Sequence, residues 1–139
     1  MTRINAHIPP VNLCDQHLLA EHREIVRIPN TIKSGKAKID KIPDTFKLGS
    51  GHVKFFYNKL LYLKNRYNIL YDECVKRGFN VTNYSESFDD LDDILYNDWC
   101  GDIKSNNIVK ERIIERLSKM KNIKYYRKDI NINDIVKKL

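Results

Sequence analysis

The strongest constraint on the fold is a run of apolar side chains in the middle of the chain. They follow one another in steps of three and four residues: Val53, Phe56, Leu60, Leu63, Tyr67, Leu70 and Cys74. This period predicts one long helix that buries an apolar stripe against the rest of the protein. Gly78, after Lys76 and Arg77, is typical of the end of such a helix. The stripe therefore predicts a helical protein.

Asp15–Arg27 is predicted to form an earlier helix with two unlike faces. One face is apolar, with Leu18, Leu19, Ile25 and Val26, and the other is polar, with Gln16, His17, Ala20, Arg23, Glu24 and Arg27. Arg23 and Arg27 stand one turn apart, and such a like-charge pair costs an isolated helix roughly 0.2–0.5 kcal/mol. Glu24 offsets part of this cost. Two interpretations stand: a solvated charged face, or a surface that binds anions through bidentate guanidinium groups.

The limits of the other elements follow from capping and helix-breaking residues. Asn12 is predicted to cap the first helix, and Pro29 to end or kink it near Ile28, before a lysine-rich loop over Thr31–Ser50. A short helix is predicted within the acidic stretch Ser85–Trp99. A third main helix is expected to begin at Asn106 or Asn107, with Ile108, Ile113 and Leu117 facing inward, and a closing turn over Asn133–Leu139.

The charge distribution favours a polyanionic partner. Net charge is +7, yet the stretch Ser85–Asp102 contains seven acidic residues and no lysine or arginine, which leaves 25 basic against 11 acidic residues elsewhere. Such asymmetry indicates one face that binds a polyanion and another that is repelled by it. A membrane surface is the competing polyanion, but the sequence shows no strongly amphipathic basic helix with an aromatic-rich apolar face. Arg112 and Arg116 repeat the four-residue spacing of Arg23 and Arg27. Lys124 begins a stretch in which basic residues and tyrosines are interleaved, which suits the binding of nucleic acid.

The N-terminus offers a candidate nucleophile. Met1–Leu13 contains Pro9 and Pro10 and is predicted to be an extended arm. Because Thr2 is small, removal of Met1 would leave a threonine α-amine, whose ordinary pKa of about 7.7–8.0 keeps a useful fraction neutral at neutral pH. An ordinary frayed terminus is the alternative interpretation.

Several classes of protein are disfavoured by motifs that the chain does not contain. There is no phosphate-binding glycine loop, no G-x-S-x-G and no H-E-x-x-H. The four histidines lack metal-ligand spacing, so we expect no metal and no cofactor. Three widely spaced cysteines and no predicted signal or spanning segment indicate an intracellular protein with reduced thiols, in the cytoplasm or wherever the genomic DNA lies. A chain of 139 residues is expected to form a single domain over residues 1–139.

Four strings resemble the pyrimidine-dimer DNA glycosylase family, in its phage-type, dimer-specific form. They are MTRIN, DQHLLAEHRE, TFKLGSGHVKFFYNKL and ECVKRGFN, and the resemblance covers roughly residues 1–80. It implies a compact all-α fold of three main helices, with the N-terminal arm threading between them. It also implies a DNA glycosylase and abasic-site lyase that acts on ultraviolet-induced cyclobutane pyrimidine dimers.

The resemblance assigns roles to particular residues. The Thr2 α-amine is implied to attack the deoxyribose C1′ and form a Schiff base, and Glu24 to stabilise the cationic sugar and assist β-elimination. The residues implied to contact DNA are Arg3, Gln16, His17, His22, Arg23, Arg27, Arg112, Arg116 and Lys124. The implied partner is double-stranded DNA with pyrimidine dimers or abasic sites, bound by a monomer without a membrane. Base flipping would require backbone contacts to offset a few kcal/mol of unstacking.

Two departures from the family pattern concern lesion recognition. His22 stands where the family has a tyrosine. The C-terminal string W-Y-K-Y-Y appears here as NIKYY, so Asn122 and Ile123 replace two aromatic residues. Three functions of different classes therefore remain. They are a repair enzyme, possessing dimer or other lesion specificity, a DNA-binding protein without catalysis, and a helical protein that binds an acidic protein partner.

Overall fold

The computed structural model describes residues 1–139, and most of them are helical, as predicted. The helices are α1 (Asp15–Glu24), α2 (Arg27–Lys33), α3 (His52–Phe55), α4 (Leu60–Lys76), α5 (Ile103–Ser118) and α6 (Ile132–Val136). The sequence did not predict a small antiparallel sheet of β1 (Lys124–Tyr125) and β2 (Lys128–Asp129), in which Lys124 pairs with Asp129. No helix is long and apolar enough to cross a membrane.

The first predicted helix is divided into two. Cys14, and not Asn12, precedes its first turn, because Asn12 belongs to a 3-10 turn over Pro10–Asn12. The helix ends at Glu24, and α2 begins at Arg27 with Pro29 inside its first turn. The first-turn N–H groups of a helix have no intrahelical acceptor, so a proline is tolerated there. The prediction that Pro29 ends the helix near Ile28 is therefore wrong.

The long apolar stripe is real, but the helix is interrupted within it. After α3, a 3-10 turn covers Phe56–Asn58 and Lys59 leaves helical geometry with a φ of −128°. The Nζ atom of Lys59 donates to the Phe55 carbonyl oxygen at 3.0 Å, so its own side chain satisfies a carbonyl at the break. The predicted stop is confirmed, because α4 ends at Lys76, Arg77 caps it, and Gly78 follows with a φ of +84°.

The acidic stretch does not form the predicted helix. Two 3-10 turns, Ser85–Phe88 and Asp93–Leu95, replace it, and Phe88 and Leu95 are their buried side chains. Aspartates favour turns over helix interiors, because their carboxylates compete for nearby backbone N–H groups. Asp92 does this here, since its carboxylate accepts from the Ile94 N–H.

The third main helix begins four or five residues earlier than predicted. Asp102 caps α5 by accepting from the Ser105 N–H at 2.7 Å, and Ser105 accepts from the Asp102 N–H, which completes a capping box. The predicted caps Asn106 and Asn107 lie inside the helix. The buried face consists of Ser105, Val109, Ile113 and Leu117, so Ile113 and Leu117 are buried as predicted and Ile108 is not.

One cluster of buried apolar side chains runs from Ile4 in the N-terminal segment to Ile135 in α6. The packing of α1 against α4 lies within this cluster. The two-stranded sheet packs beside α1, and α6 packs on α5. Ile4, Ala6 and Ile8 of the N-terminal segment are all buried and belong to this cluster.

Candidate active site and nucleic-acid interface

Side chains from three helices bind the backbone of two consecutive N-terminal residues. The Arg3 N–H donates to Glu24 Oε1 of α1 at 3.1 Å, and the Ile4 N–H donates to His52 Nε2 of α3 at 3.0 Å. Arg112 Nη2 of α5 donates to the Ile4 carbonyl oxygen at 2.9 Å. The N-terminal segment is thus held beside α1, α3 and α5 immediately after Thr2.

Two side chains of α4 bind the same segment further along. The Tyr62 hydroxyl accepts from the His7 N–H at 3.0 Å, and Arg66 Nη1 donates to the Ile8 carbonyl oxygen at 2.6 Å. A segment without regular secondary structure would otherwise bury unpaired backbone groups. These bonds satisfy backbone groups of the segment over residues 3–8, which contains no helix or strand.

Thr2 lies between two residues that contact the last residue of α1 and the first residue of α2. The carboxylate of Glu24 binds Arg3 through one oxygen, and its other oxygen lies 3.8 Å from Arg23 Nη2. Arg27 Nη1 donates to the Met1 carbonyl oxygen at 3.4 Å. Only 12% of the Glu24 side chain is exposed, so this carboxylate is held in place beside the backbone of Thr2 and its neighbours.

Burial and the neighbouring positive charges lower the pKa values of the basic side chains around this site. Burial, with the positive charge of Arg116, lowers the pKa of Arg112 to about 10, although Glu21 opposes the shift. Burial and then Arg3 lower the pKa of Arg116. Burial, Arg116 and Arg3 together lower the pKa of His17 to about 4, which leaves this imidazole neutral at neutral pH.

These guanidinium groups retain unused hydrogen-bonding capacity. Arg112 Nε is buried and has no hydrogen-bond partner. The side chain of Arg23 is 66% exposed, and Arg27 is exposed as well. A protein surface with crowded cations and free N–H groups binds oxyanions such as phosphate, since these satisfy both charge and hydrogen bonds. The structure thus places Arg3, His17, Arg23, Glu24, Arg27, Arg112 and Arg116 in one neighbourhood.

Three predicted DNA-binding residues lie elsewhere or are already engaged. His22 is buried, and its Nε2 lies 3.0 Å from the Tyr67 hydroxyl, so its side chain faces the interior. Burial lowers the pKa of His22. Gln16 binds the backbone of Asn122 and Lys124, which ties α1 to the sheet. The Nζ atom of Lys124 pairs with Asp129 across that sheet.

The C-terminal tyrosines are packed onto a buried arginine. The Arg77 guanidinium lies 4.7 Å from the ring centroids of both Tyr125 and Tyr126. The Tyr126 hydroxyl donates to Glu73 at 2.7 Å, and Asp15 accepts from the Tyr126 N–H at 3.1 Å. Both rings are therefore held by the protein, in contrast to the free stacking edge that the sequence indicated.

Sequence reasoning missed the polar residues that anchor the N-terminal segment. The sequence indicated His52 only as a histidine without metal-ligand spacing and Arg77 only as a residue near the end of the long helix, and it indicated no role for Glu21 or Arg66. A polar residue on the apolar face of a predicted helix could have indicated such an anchor, because a charge that is buried requires a partner. The sequence does not say which residue is that partner. The structure contains no group of three or more histidine, cysteine, aspartate or glutamate side chains positioned to bind a metal.

Comparison with known proteins identifies one protein family. The family model described as pyrimidine dimer DNA glycosylase matches residues 1–87. The matched residues include the N-terminal segment and the helices α1–α4, and thus Thr2, Arg3, Arg23, Glu24 and Arg27. The arginines of α5 and the two-stranded sheet lie outside the match.

Proposed function

This chain belongs to the pyrimidine dimer DNA glycosylase family, and from that premise we propose that it is a bifunctional glycosylase and abasic-site lyase. The family indicates a DNA repair enzyme whose substrate is DNA that contains pyrimidine dimers. The Schiff-base chemistry, the roles of single residues and the activity at abasic sites are the finer parts of this proposal. We further propose that residues 1–139 act as one domain and as a monomer, inside the cell.

The proposed nucleophile is the α-amine of Thr2 after removal of Met1. Its nitrogen lone pair forms a bond to deoxyribose C1′, the bond from C1′ to the base breaks, and the base leaves with that electron pair and takes up a proton. Opening of the sugar ring then gives a protonated Schiff base. Removal of a C2′ proton expels the 3′ phosphate by β-elimination and cuts the strand.

The observation that carries this proposal is the anchoring of the N-terminal segment beside Glu24. Glu24 binds the Arg3 N–H and Arg27 binds the Met1 carbonyl oxygen, so both neighbours of Thr2 are held. In this position the Glu24 carboxylate is available to stabilise the cationic sugar and to move protons during elimination. An amine at Thr2, held between these two contacts, would have the proximity to the carboxylate that catalysis requires.

The arginine groups supply the second part of the proposal, which is the binding of a distorted duplex. Arg3, Arg23, Arg27, Arg112 and Arg116 are proposed to bind phosphates, with His17 neutral among them. Phosphate contacts of this kind offset the deformation energy of a kinked or flipped duplex. Affinity for DNA should therefore fall steeply as salt rises, because bound counterions are released on binding.

The decisive experiment is borohydride trapping of the mature, untagged protein. One duplex would carry a cyclobutane thymine dimer and the other an abasic site, and mass spectrometry would establish that Met1 is absent. We expect a covalent adduct on both duplexes. A protein with one residue added before Thr2 should bind DNA without forming the adduct, and full trapping by that protein would rule out the amine nucleophile.

The role of Glu24 is tested by Glu24→Gln, with Glu111→Gln as the matched control on an exposed part of α5. Removal of a positioned acid–base group is expected to slow strand cleavage by about 10²–10⁴-fold, with DNA affinity largely retained. The control should cleave at the wild-type rate. A Glu24→Gln protein that cleaves as fast as its control would refute the assigned role.

A different lesion preference is the second candidate, and the C-terminal residues favour it. Asn122 is exposed, Ile123 is buried in the core, and the two following tyrosines are packed on Arg77. An adduct on the abasic duplex alone would support a lyase with another lesion preference. Salt-dependent binding with no adduct on either duplex would indicate a DNA-binding protein without catalysis.

A further inference from the structure

His52 has two hydrogen-bond partners that together fix its protonation state. Its Nδ1 lies 2.9 Å from the Lys47 carbonyl oxygen, which only accepts hydrogen bonds, so Nδ1 carries a proton. Its Nε2 lies 3.0 Å from the Ile4 nitrogen, which only donates, so Nε2 offers its lone pair. The imidazole is therefore required as the neutral Nδ1–H tautomer.

We propose that His52, as this tautomer, is a positioning residue that holds the Ile4 N–H and thereby places the Thr2 amine against Glu24. The inference rests on the function proposed above, because it concerns the geometry of the same nucleophile. His52 does not touch the reacting atoms. It acts through Arg3, the one residue that separates Ile4 from Thr2.

The surroundings of Ile4 explain why one hydrogen bond has this influence. Ile4 is completely buried, so its N–H has no water to bind if His52 is lost. Its carbonyl oxygen is bound from the opposite side by Arg112, a residue of another helix. The peptide groups on either side of Ile4 are thus fixed between α3 and α5, and the chain from there to Thr2 is too short to absorb a displacement.

The groups that face His52 keep its imidazole neutral. The rings of Phe46 and Phe56 meet it edge to face, each at 5.4 Å between centroids. Burial in this apolar environment, helped by the charge of Arg112, lowers the pKa of His52 to about 4, although the Lys47 carbonyl and Glu21 oppose the shift. Nε2 therefore remains an acceptor throughout the neutral range.

The test compares variants that differ in what they offer to the Ile4 N–H. His52→Leu removes the acceptor, whereas His52→Gln carries an amide oxygen near the position of Nε2. Tyr62→Phe is the matched control, because it removes the acceptor of the His7 N–H, an equivalent backbone bond five residues from Thr2. The measured quantities are the single-turnover trapping rate on an abasic duplex at saturating protein, the Kd for that duplex and the Tm.

We expect His52→Leu to slow trapping by about 10–100-fold while Kd changes by less than about threefold, because a small displacement of a nucleophile is costly. His52→Gln should recover most of that rate. Tyr62→Phe should trap at nearly the wild-type rate even where its Tm falls as far as that of His52→Leu. Equal slowing by the control, or unchanged trapping by His52→Leu, would overturn the inference.

Two further measurements keep the inference testable if His52→Leu does not fold. His52→Asn retains an amide near Lys47 but is too short to reach Ile4, so it should slow trapping as His52→Leu does. The long-range ¹H–¹⁵N spectrum of the wild type should show the Nδ1–H tautomer between about pH 5 and pH 8. A spectrum of the other tautomer would overturn the inference alone, whereas failure of the wild type to form any adduct would overturn the proposed function as well.

Discussion

Removal of the charge on Glu21 is expected to destabilise the protein strongly. Glu21 Oε2 accepts from Arg66 Nε at 2.8 Å, and Glu21 Oε1 accepts from Arg66 Nη2 at 2.9 Å. At most 3% of either side chain is exposed. Burial alone would lower the pKa of Arg66, but Glu21 outweighs it and the pKa is raised. Glu21→Gln would therefore leave a guanidinium charge that is buried without a counter-charge.

Breaking a buried ion pair from one side costs about 3–5 kcal/mol in the free energy of unfolding. For a chain of this length, a loss of that size lowers Tm by roughly 10–20 °C. Urea denaturation of Glu21→Gln at pH 7 measures the loss directly. Glu115→Gln is the control, because it breaks an exposed pair with Lys119 on α5 and should change the stability little.

The double variant Glu21→Met with Arg66→Met distinguishes the cost of an unpaired buried charge from the loss of packing, because it removes both charges and retains side chains of similar volume. Hydrophobic side chains of similar volume commonly replace a buried ion pair without loss. Here Asn5 and the Ile8 carbonyl also lose a partner, so we expect incomplete recovery, with the double variant more stable than Glu21→Gln. A double variant at least as unstable as Glu21→Gln, or a loss below about 1 kcal/mol in Glu21→Gln, would refute the reasoning.

Two further predictions concern acid and the C-terminal sheet. The pKa values of His17 and His52 lie near 4 in the folded protein, below the ordinary value of 6.5, so the unfolded state binds protons first as pH falls. Urea titrations should show that each histidine lowers the free energy of unfolding by about 2 kcal/mol between pH 7 and pH 5. In His52→Gln, the fall between these pH values should be only the part that His17 contributes. Asp15→Asn should cost about 2–3 kcal/mol and speed amide exchange at Tyr126 and Arg127, whose N–H groups Asp15 binds. Unchanged exchange would contradict that role of Asp15.

The sequence predicted the elements that depend on local patterns. The apolar stripe of α4 is periodic enough to identify its buried face, and Gly78 ends the helix as expected because its φ is positive. The Arg–Glu–Arg grouping of Arg23, Glu24 and Arg27 was visible as an unfavourable spacing of like charges. Its proximity to the N-terminus came from the family resemblance and could not be derived from spacing.

The elements that the sequence did not predict depend on partners far along the chain. The turn between β1 and β2 has positive φ at both Tyr126 and Arg127, a conformation for which Asn-Gly is the usual sequence. This turn forms because the Asp15 carboxylate, more than one hundred residues earlier, accepts from both of its N–H groups. Asp102 was a different case, since D-x-x-S is a local capping pattern and the signal was available.

Helix α1 connects the two parts of the proposed function. Its first turn supplies Asp15 and Gln16, which hold the C-terminal sheet, and its last residue is Glu24, which holds the N-terminal segment. Ten residues of helix separate these ends by about 15 Å. Asn122 and Ile123 directly precede β1 near the first turn of α1, whereas the bonds of Glu24 lie at its other end. Because the two ends are separate, the proposed function allows the lesion preference to differ while the proposed amine and carboxylate remain in position.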